Sequence, residues 1–317
     1  ARGMVETAQQ NGVIVRVGEQ FFRNPFDKLA RKLIQDNVIG QVGRITNYHT
    51  HLGYHNNSRH QVFAGSAPIG VNAVTHQMPV EPYINTGRYY NSEGFENISF
   101  YFPNGLLITD IAGNIKGALG RYSRPGLVEI DGSIGTIVQE AVAPWTGRGE
   151  VRLVDAKRFK DGSGAYADCF PIKFLFRDPQ GNVVGYDDLH TQLTTDKRGP
   201  FLGAHVRLPQ GEYSVFNEFV ELGLTSPYHP DVAEHVKEFA LLVRTGKPDV
   251  FTMEMAVTSL AMSHGALLSA RNRGAFVEFP IPGHTEIDDE VHAKIQETFG
   301  VDALDVEAMV DISFPQP

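Results

Sequence analysis

Apolar positions recur along this chain with two different periods, and the change from one to the other divides it. VIVRV at residues 13–17 is a short β-branched run and reads as a strand. Ahead of it, ARGMVETAQQNG reads as the tail of an amphipathic helix, with Met4, Ala8 and Val5 facing inward and Gly12 stopping it. After it, PFDKLARKLIQDNVIG carries Phe26, Leu29, Leu33 and Ile34 at helical spacing, with Pro25 at its mouth and Gly40 at its end. Helix, strand, helix is the rhythm of an α/β unit cut off at its front. RITNYHTHLGYH then predicts one longer strand, and EPYINTGRYYNSEGFEN a loop.

From GFENISFYF onward the texture becomes that of strands. The turn PNG, with the strong Asn104-Gly105 signal, joins that run to LLITDIAG as a hairpin. LVEIDGSIGTIVQE is a second strand pair, around Asp131-Gly132, and VRLVDAKRF, PIKFLFRDPQGNVVGYDDL and YSVFNEFVEL add more. Hairpins in succession favour a large, mainly antiparallel sheet. Helices return late. SPYHPDVAEHVKEFALLVRTGKP has Ser226 near its cap, Val232, Val236, Phe239, Ala240 and Val243 on one face, and Gly246 as its stop. MEMAVTSLAMSHGALLSARNRG follows, its Ala and Ser residues small enough for close packing on a sheet. EFPIP closes the unit, and residues 284–317 read as an appended helix with an acidic tail. The expected fold is α+β: a large, mainly antiparallel open sheet with helices on one face, preceded by the truncated end of a Rossmann-type α/β unit.

Composition narrows the function classes. The 317 residues are 42% hydrophobic and 21% charged, ordinary for a globular protein. The net charge of -9 is spread along the chain, which argues against nucleic acid, since phosphate binding needs clustered Lys and Arg. No run approaches the ~20 apolar residues of a membrane helix. No signal peptide opens the chain, and the single cysteine, Cys169, excludes an internal disulfide; both suit the cytoplasm. Cys169 sits in ADCFPIKF and is expected to be an inert thiol on a buried strand.

Two motif matches fail on context. Gly162, Gly164 and Ala167 fit a loose G-x-G-x-x-A pattern, but a charged segment precedes them and a strand follows, so no helix N-terminus meets a phosphate there. TGKP at Thr245–Pro248 lacks the upstream glycine spacing of a phosphate loop and reads as a helix C-cap.

Three segments, in this order, resemble the glucose–fructose oxidoreductase and inositol dehydrogenase family (Gfo/Idh/MocA). They are NGVIVRVGEQFFRNPFDKLARKLIQDNVIGQVGRI; GFENISFYFPNGLLITDIAGNIKG with EIDGSIGTI; and HVKEFALLVRTGKP with SLAMSHGALLSARNRGAFVEFPI. The resemblance covers most of residues 1–283. It implies a remnant of a dinucleotide-binding domain over 1–25, a substrate-binding and oligomerisation domain over 26–283 and an extension over 284–317. It also implies an NAD or NADP cofactor, held mainly by a glycine fingerprint, together with a Glu-Lys-Pro lysine, that this chain does not contain. Family members carry an Asp and a His one helical turn apart in the second domain. Here no Asp occurs between Asp36 and Asp110, and GYHNNSRHQ takes that place.

Within HTHLGYH, a regular strand would put Asn47, His49, His51 and His55 on one face. Three readings compete: a sugar-binding wall with one His as proton donor or acceptor, an H-x-H metal site, or histidines hydrogen-bonded at a sheet edge. The resemblance favours the first, with His55 and then His51 as the acid–base group and His49 as a substrate contact. Arg88, with Tyr89 and Tyr90, suits multidentate contacts to hydroxyls or carboxylates, against the alternative of a solvated loop. Asn114 and Lys116 follow LLITDIAG and could reach the same side. Asp110 is either a buried paired acid or a site residue, and His190 is a further substrate candidate. Gln20 and Arg23, in GEQFFRNP, are either contacts to the nicotinamide end of the cofactor or interdomain packing. No metal is assigned.

Two function classes follow. One is the substrate-binding part of an NAD(P)-dependent oxidoreductase acting on a sugar, polyol or glycoside. The other is a non-catalytic binding or assembly subunit of the same fold, without a cofactor domain. In either case the uncovered sheet face, apolar in FENISFYF and LLITDIAG, predicts a homo-oligomer, and a separate chain bearing the cofactor domain is a further candidate partner.

Overall fold

The structure, a computed structural model, describes residues 1–48, 53–85, 88–112, 127–140, 148–155, 167–187, 199–227 and 229–312. Its strands are β1 (Val42–Tyr48), β2 (Gly70–Asn85), β3 (Arg88–Tyr101), β4 (Leu107–Ala112), β5 (Leu127–Gly132), β6 (Gly135–Glu140), β7 (Arg148–Val154), β8 (Ala167–Pro171), β9 (Lys173–Arg177), β10 (Val183–Tyr186), β11 (Phe201–Leu208), β12 (Gly211–Phe216) and β13 (Val277–Glu278). Its helices are α1 (Arg2–Gln10), α2 (Pro25–Gln35), α3 (Gly53–Ala64), α4 (His229–Thr245), α5 (Met253–Arg271), α6 (Glu286–Phe299) and α7 (Val306–Val310).

Nine strands form one large sheet in the order β13-β2-β3-β4-β1-β5-β6-β7-β8. Only β1 against β4 is parallel. The mainly antiparallel sheet expected from the hairpin pattern is therefore present. Strands β9 to β12 do not extend it. They fold into a second, four-stranded sheet, β10-β9-β11-β12. Helix α2 joins the two sheets: its Phe26, Leu29 and Leu33 enter one core with Ile130 and Ile137 of the large sheet and Phe174 and Phe201 of the small one. Each such side chain stabilises by about 1.5–3 kcal/mol on burial. The α2 start is fixed locally, since the Asn24 side chain accepts from the Asp27 N–H at 2.9 Å and Pro25 occupies the first turn.

The small residues of α5 do pack on the sheet. A Cβ at Gly265 would stand 2.9 Å from the Phe279 ring and 3.0 Å from Val71. Ser269 Oγ accepts from the Ala73 N–H at 2.8 Å, tying α5 to β2. The β3–β4 turn holds Gly105 at φ +76°, which glycine adopts without strain.

Several sequence expectations change. Residues 13–20 pair with no strand among the described residues: the Val13 N–H turns back to the Ala8 carbonyl and the Glu19 N–H to the Val17 carbonyl, both at 2.9 Å, and Val13, Ile14 and Val17 are exposed. On α1, Met4 is exposed rather than inward, while Val5 and Ala8 are half-buried. The stretch before the first hairpin is not a loop: Tyr89 and Tyr90 lie in β3, as does the backbone of Arg88, in a long two-stranded arm whose Tyr83 and Tyr90 rings stack at 5.2 Å. Cys169 is exposed rather than buried; it lies on β8, which among the described residues is an edge strand of the large sheet. The apolar face of α4 is largely uncovered, with Val232, Val236 and Val243 more than half exposed. The extension contains α6 and the short α7.

Candidate functional site

The segment Gly18–Asn24 turns a tight corner. A single 3₁₀ turn at Phe21–Arg23 is locked from below, with the Asn24 side chain donating to the Phe21 carbonyl at 2.8 Å while also capping α2. Inside this corner Glu19 is 5% exposed and accepts from the Phe21 N–H at 2.7 Å. Its carboxylate reaches the first turn of α3, where His55 Nδ1 lies 2.8 Å from Oε2 and 3.1 Å from Oε1. The Phe21 ring stacks on the imidazole at 5.1 Å and the Tyr54 ring packs at 4.2 Å. The His55 side chain retains 13% exposure.

His55 thus sits on a helix. The described strand is β1, Val42–Tyr48, and His55 lies in α3, so Asn47 and His55 do not share a strand face. His49 and His51 lie outside the described residues, as do Asn114, Lys116 and His190. Nothing is described of the Arg88 side chain. Among the described residues no three His, Cys, Asp or Glu are placed to hold a metal ion.

The rest of α3 is unusual: Asn56, Asn57, Ser58, Arg59, His60 and Gln61 are all buried. Burying polar groups is costly unless they are hydrogen-bonded, and here partners come from several elements, while Asn56 Oδ1, His60 Nδ1 and Gln61 Oε1 find none among the described residues. Asn57 donates to Ser259 O at 2.8 Å and Ser263 Oγ at 2.9 Å on α5, and Gln61 to Ser259 Oγ at 2.8 Å. Arg59 grips both carboxylate oxygens of Asp27 at 2.5 and 2.6 Å and reaches Gln139 at 3.3 Å. His60 Nε2 lies 2.9 Å from both oxygens of Asp110, whose Oδ1 also accepts from Asn47 at 3.0 Å. Asp110 is therefore the buried paired acid of the two readings above. His60, at 1% exposure, is enclosed within the same network.

Below the corner lies an ionic cluster. Arg23 donates to Asp249 at 2.6 and 2.8 Å and to Glu234 at 3.3 Å, with 2% of its side chain exposed. Arg16 also pairs with Asp249, and Lys28 with Glu234. Arg23 therefore packs the corner against α4; Gln20, half-buried, adjoins it in sequence. Burial pushes the Asp231 carboxyl well above the usual carboxylate range, with Lys28 opposing and Glu234 adding to the rise. Burial, then Arg16 and Arg23, hold His235 below its ordinary value. A cleft of about 260 Å³ opens beside this cluster, lined by Val13, Ile14, Arg16, Asp249 and Phe251. A groove of about 560 Å³ between α1 and α5 is lined by Val5, Ile69, Val257 and Phe279 and holds none of the sequence-predicted site residues.

Sequence reasoning missed Glu19, Asp27, Arg59 and His60. Glu19 and His55 are 36 positions apart, and no local spacing links them. Asn56 and His60 stand four positions apart in GYHNNSRHQ, a helical spacing that could have flagged α3.

No protein-family model matches the chain. No curated protein matches it either. Solved structures share its fold. An NAD-binding oxidoreductase from Klebsiella pneumoniae superimposes with a TM-score of 0.55 at 14% sequence identity, covering 89% of this chain and 70% of that one. An oxidoreductase from Agrobacterium radiobacter in complex with NAD+, L-tartaric acid and magnesium gives 0.51 at 15% identity, covering 87% and 68%. An aldose-aldose oxidoreductase from Caulobacter crescentus complexed with glycerol gives 0.50 at 12% identity, covering 88% and 68%. At such identities the likeness is one of fold.

Proposed function

We propose that the chain is the substrate-binding and assembly part of an NAD(P)-dependent oxidoreductase of the Gfo/Idh/MocA type, acting at a carbinol carbon of a sugar, polyol or glycoside. The observation that carries this reading is the His55–Glu19 pair at 2.8 Å, set at the corner between residues 13–17 and the large sheet. Oxidising a carbinol requires a hydride acceptor, which the nicotinamide supplies when bound, and a group that takes the hydroxyl proton. Imidazole titrates near working pH and suits the second task, and His55 stands at the corner with partial exposure and its Nδ1 on Glu19. The fold shared with NAD-binding oxidoreductases supports the class, and the glycerol and tartaric acid of two of them are polyhydroxy compounds of the kind proposed.

The residues described here offer no glycine turn at a helix N-terminus to grip a pyrophosphate. Arg23 is committed to carboxylates, which leaves Gln20 as the corner's candidate toward the nicotinamide. The cofactor's main grip is assigned to an α/β unit docked along residues 13–17, whose exposed Val13, Ile14 and Val17 it would cover. That unit is either continuous with the chain or a separate one. His51, His49, Arg88, Asn114, Lys116 and His190 remain proposed substrate contacts. The test is nicotinamide absorbance with a panel of sugars, polyols and glycosides, using the chain joined to its cofactor unit. Turnover with one class of carbohydrate is expected. A folded, cofactor-loaded protein that oxidises none of them would overturn the proposal.

A further inference from the structure

We infer that Glu19 is a positioning residue that fixes the tautomer of His55 and makes Nε2 the nitrogen that exchanges protons with substrate. The inference rests on the reading of His55 as the acid–base group. An ionised carboxylate can only accept hydrogen bonds. Both Glu19 oxygens face Nδ1, at 2.8 and 3.1 Å, so neutral His55 carries its proton on Nδ1 and its lone pair on Nε2. When Nε2 takes the substrate's hydroxyl proton, the Nδ1–H remains and the carboxylate faces the imidazolium that forms. Glu19 does not take up the proton itself.

The carboxylate is held as firmly as the ring. Its Oε1 accepts from the Phe21 N–H at 2.7 Å, the Phe21 carbonyl accepts from Asn24, and Asn24 caps α2. Phe21 then serves twice, anchoring Glu19 through its backbone and stacking on His55 through its ring. The start of α2 is in this way connected to the orientation of an imidazole on α3. The His60–Asp110 pair makes the contrast: there the carboxylate faces Nε2, so the same argument gives His60 the opposite tautomer, inside the core.

Long-range ¹⁵N correlation spectra of the imidazoles, recorded on the full chain where histidine is neutral, test this. His55 should show the Nδ1–H pattern and His60 the Nε2–H pattern in the same spectrum. Glu19→Ala should shift His55 toward the Nε2–H form that free side chains favour and leave His60 unchanged. An Nε2–H His55 in the wild-type chain would overturn the inference without any variant having to fold. In the cofactor-loaded enzyme, Glu19→Gln should lower kcat about 10-fold or more with KM little changed. In a His55→Asn background it should cost nothing further; an equal loss there would overturn the coupling. An Nδ1–H His55 in a protein that oxidises no carbohydrate would sink the functional reading and leave the positioning intact.

Discussion

Arg59 and Asp27 meet through two hydrogen bonds of 2.5 and 2.6 Å with 2% and 0% of their side chains exposed, and this pair joins α3 to α2 beneath the candidate site. Removing one member leaves the other charge buried and alone. Arg59→Met should therefore cost about 3–5 kcal/mol, while changing Asp27 to Leu as well should recover most of the loss. Denaturant unfolding of the single and double variants checks this. A loss in the single variant below about 1 kcal/mol would mean that Asp27 is already neutral or finds another cation.

Asp231 predicts a pH dependence of stability. It is buried in the first turn of α4, and desolvation is the main reason its carboxyl stands well above the usual range. A group with a raised folded-state pKa takes up a proton on folding. Its contribution is fully present below its unfolded value, near pH 4, and is lost as pH rises through the folded value. Asp231→Asn should thus raise the melting temperature at neutral pH, with the gain shrinking toward pH 4. Thermal unfolding across that range decides it, and a gain of equal size at both ends would point to packing instead.

For the chemistry, His55→Asn in the cofactor-loaded enzyme should lower turnover by about 100-fold or more. The side chain is partly exposed and lies at the corner rather than in the core, so the melting temperature should move little. Steady-state kinetics with the best carbohydrate measures the first effect. Near-normal turnover would transfer the role to His51 or to a group outside the chain.

Assembly is proposed through the open face of the large sheet. Alternation makes that face less apolar than FENISFYF suggests: Phe100 and Ile108 point into the core, while Ser99 and Thr109 point outward and lie 3.2 Å apart. What remains for a partner is the cross-strand row Val74–Asn97–Ile111–Tyr48, in which Val74 is 59% and Ile111 37% exposed. Light scattering at micromolar concentration should give a mass above that of one chain, and Ile111→Lys should reduce it. A monodisperse monomer would contradict the proposal.

The elements that were legible in the sequence carry their own local signals. Helix α2 announces itself through Asn24-Pro25 and the spacing of Phe26, Leu29 and Leu33, and the β3–β4 hairpin through Asn104-Gly105. Helix α3 has no such signal, because NNSRHQ is polar on every side and is held by partners on α2, α5, β4 and β6. Hydrogen bonds to residues distant in sequence replace the apolar stripe that periodicity detects. For the same reason the sequence points to His55 by its chemistry but predicts a strand there, and nothing local in it singles out Glu19. The arm at Tyr83–Tyr90 was obscured by Pro79, Pro82 and Gly94, which read as loop punctuation although β2 bulges between Pro79 and Tyr83 and continues.

The last prediction concerns the cofactor. Nicotinamide dinucleotides are held mainly by backbone N–H groups of a glycine turn at a helix N-terminus and by an acidic residue on the ribose. The corner at Glu19–Arg23 could touch only one end of such a molecule, and its arginine is already paired on two sides. A few contacts at one end do not offset the entropy of immobilising a flexible dinucleotide. The 317 residues, purified alone, should therefore bind NAD or NADP with a Kd of about a millimolar or weaker, and transfer no hydride. Supplying the α/β unit that covers Val13, Ile14 and Val17 should restore both, and hydrogen exchange at residues 13–17 should slow when it docks. Titration calorimetry on the isolated chain is the deciding measurement. A micromolar Kd there would mean that the chain holds a complete dinucleotide site, and the assignment of the cofactor's grip to another unit would fall.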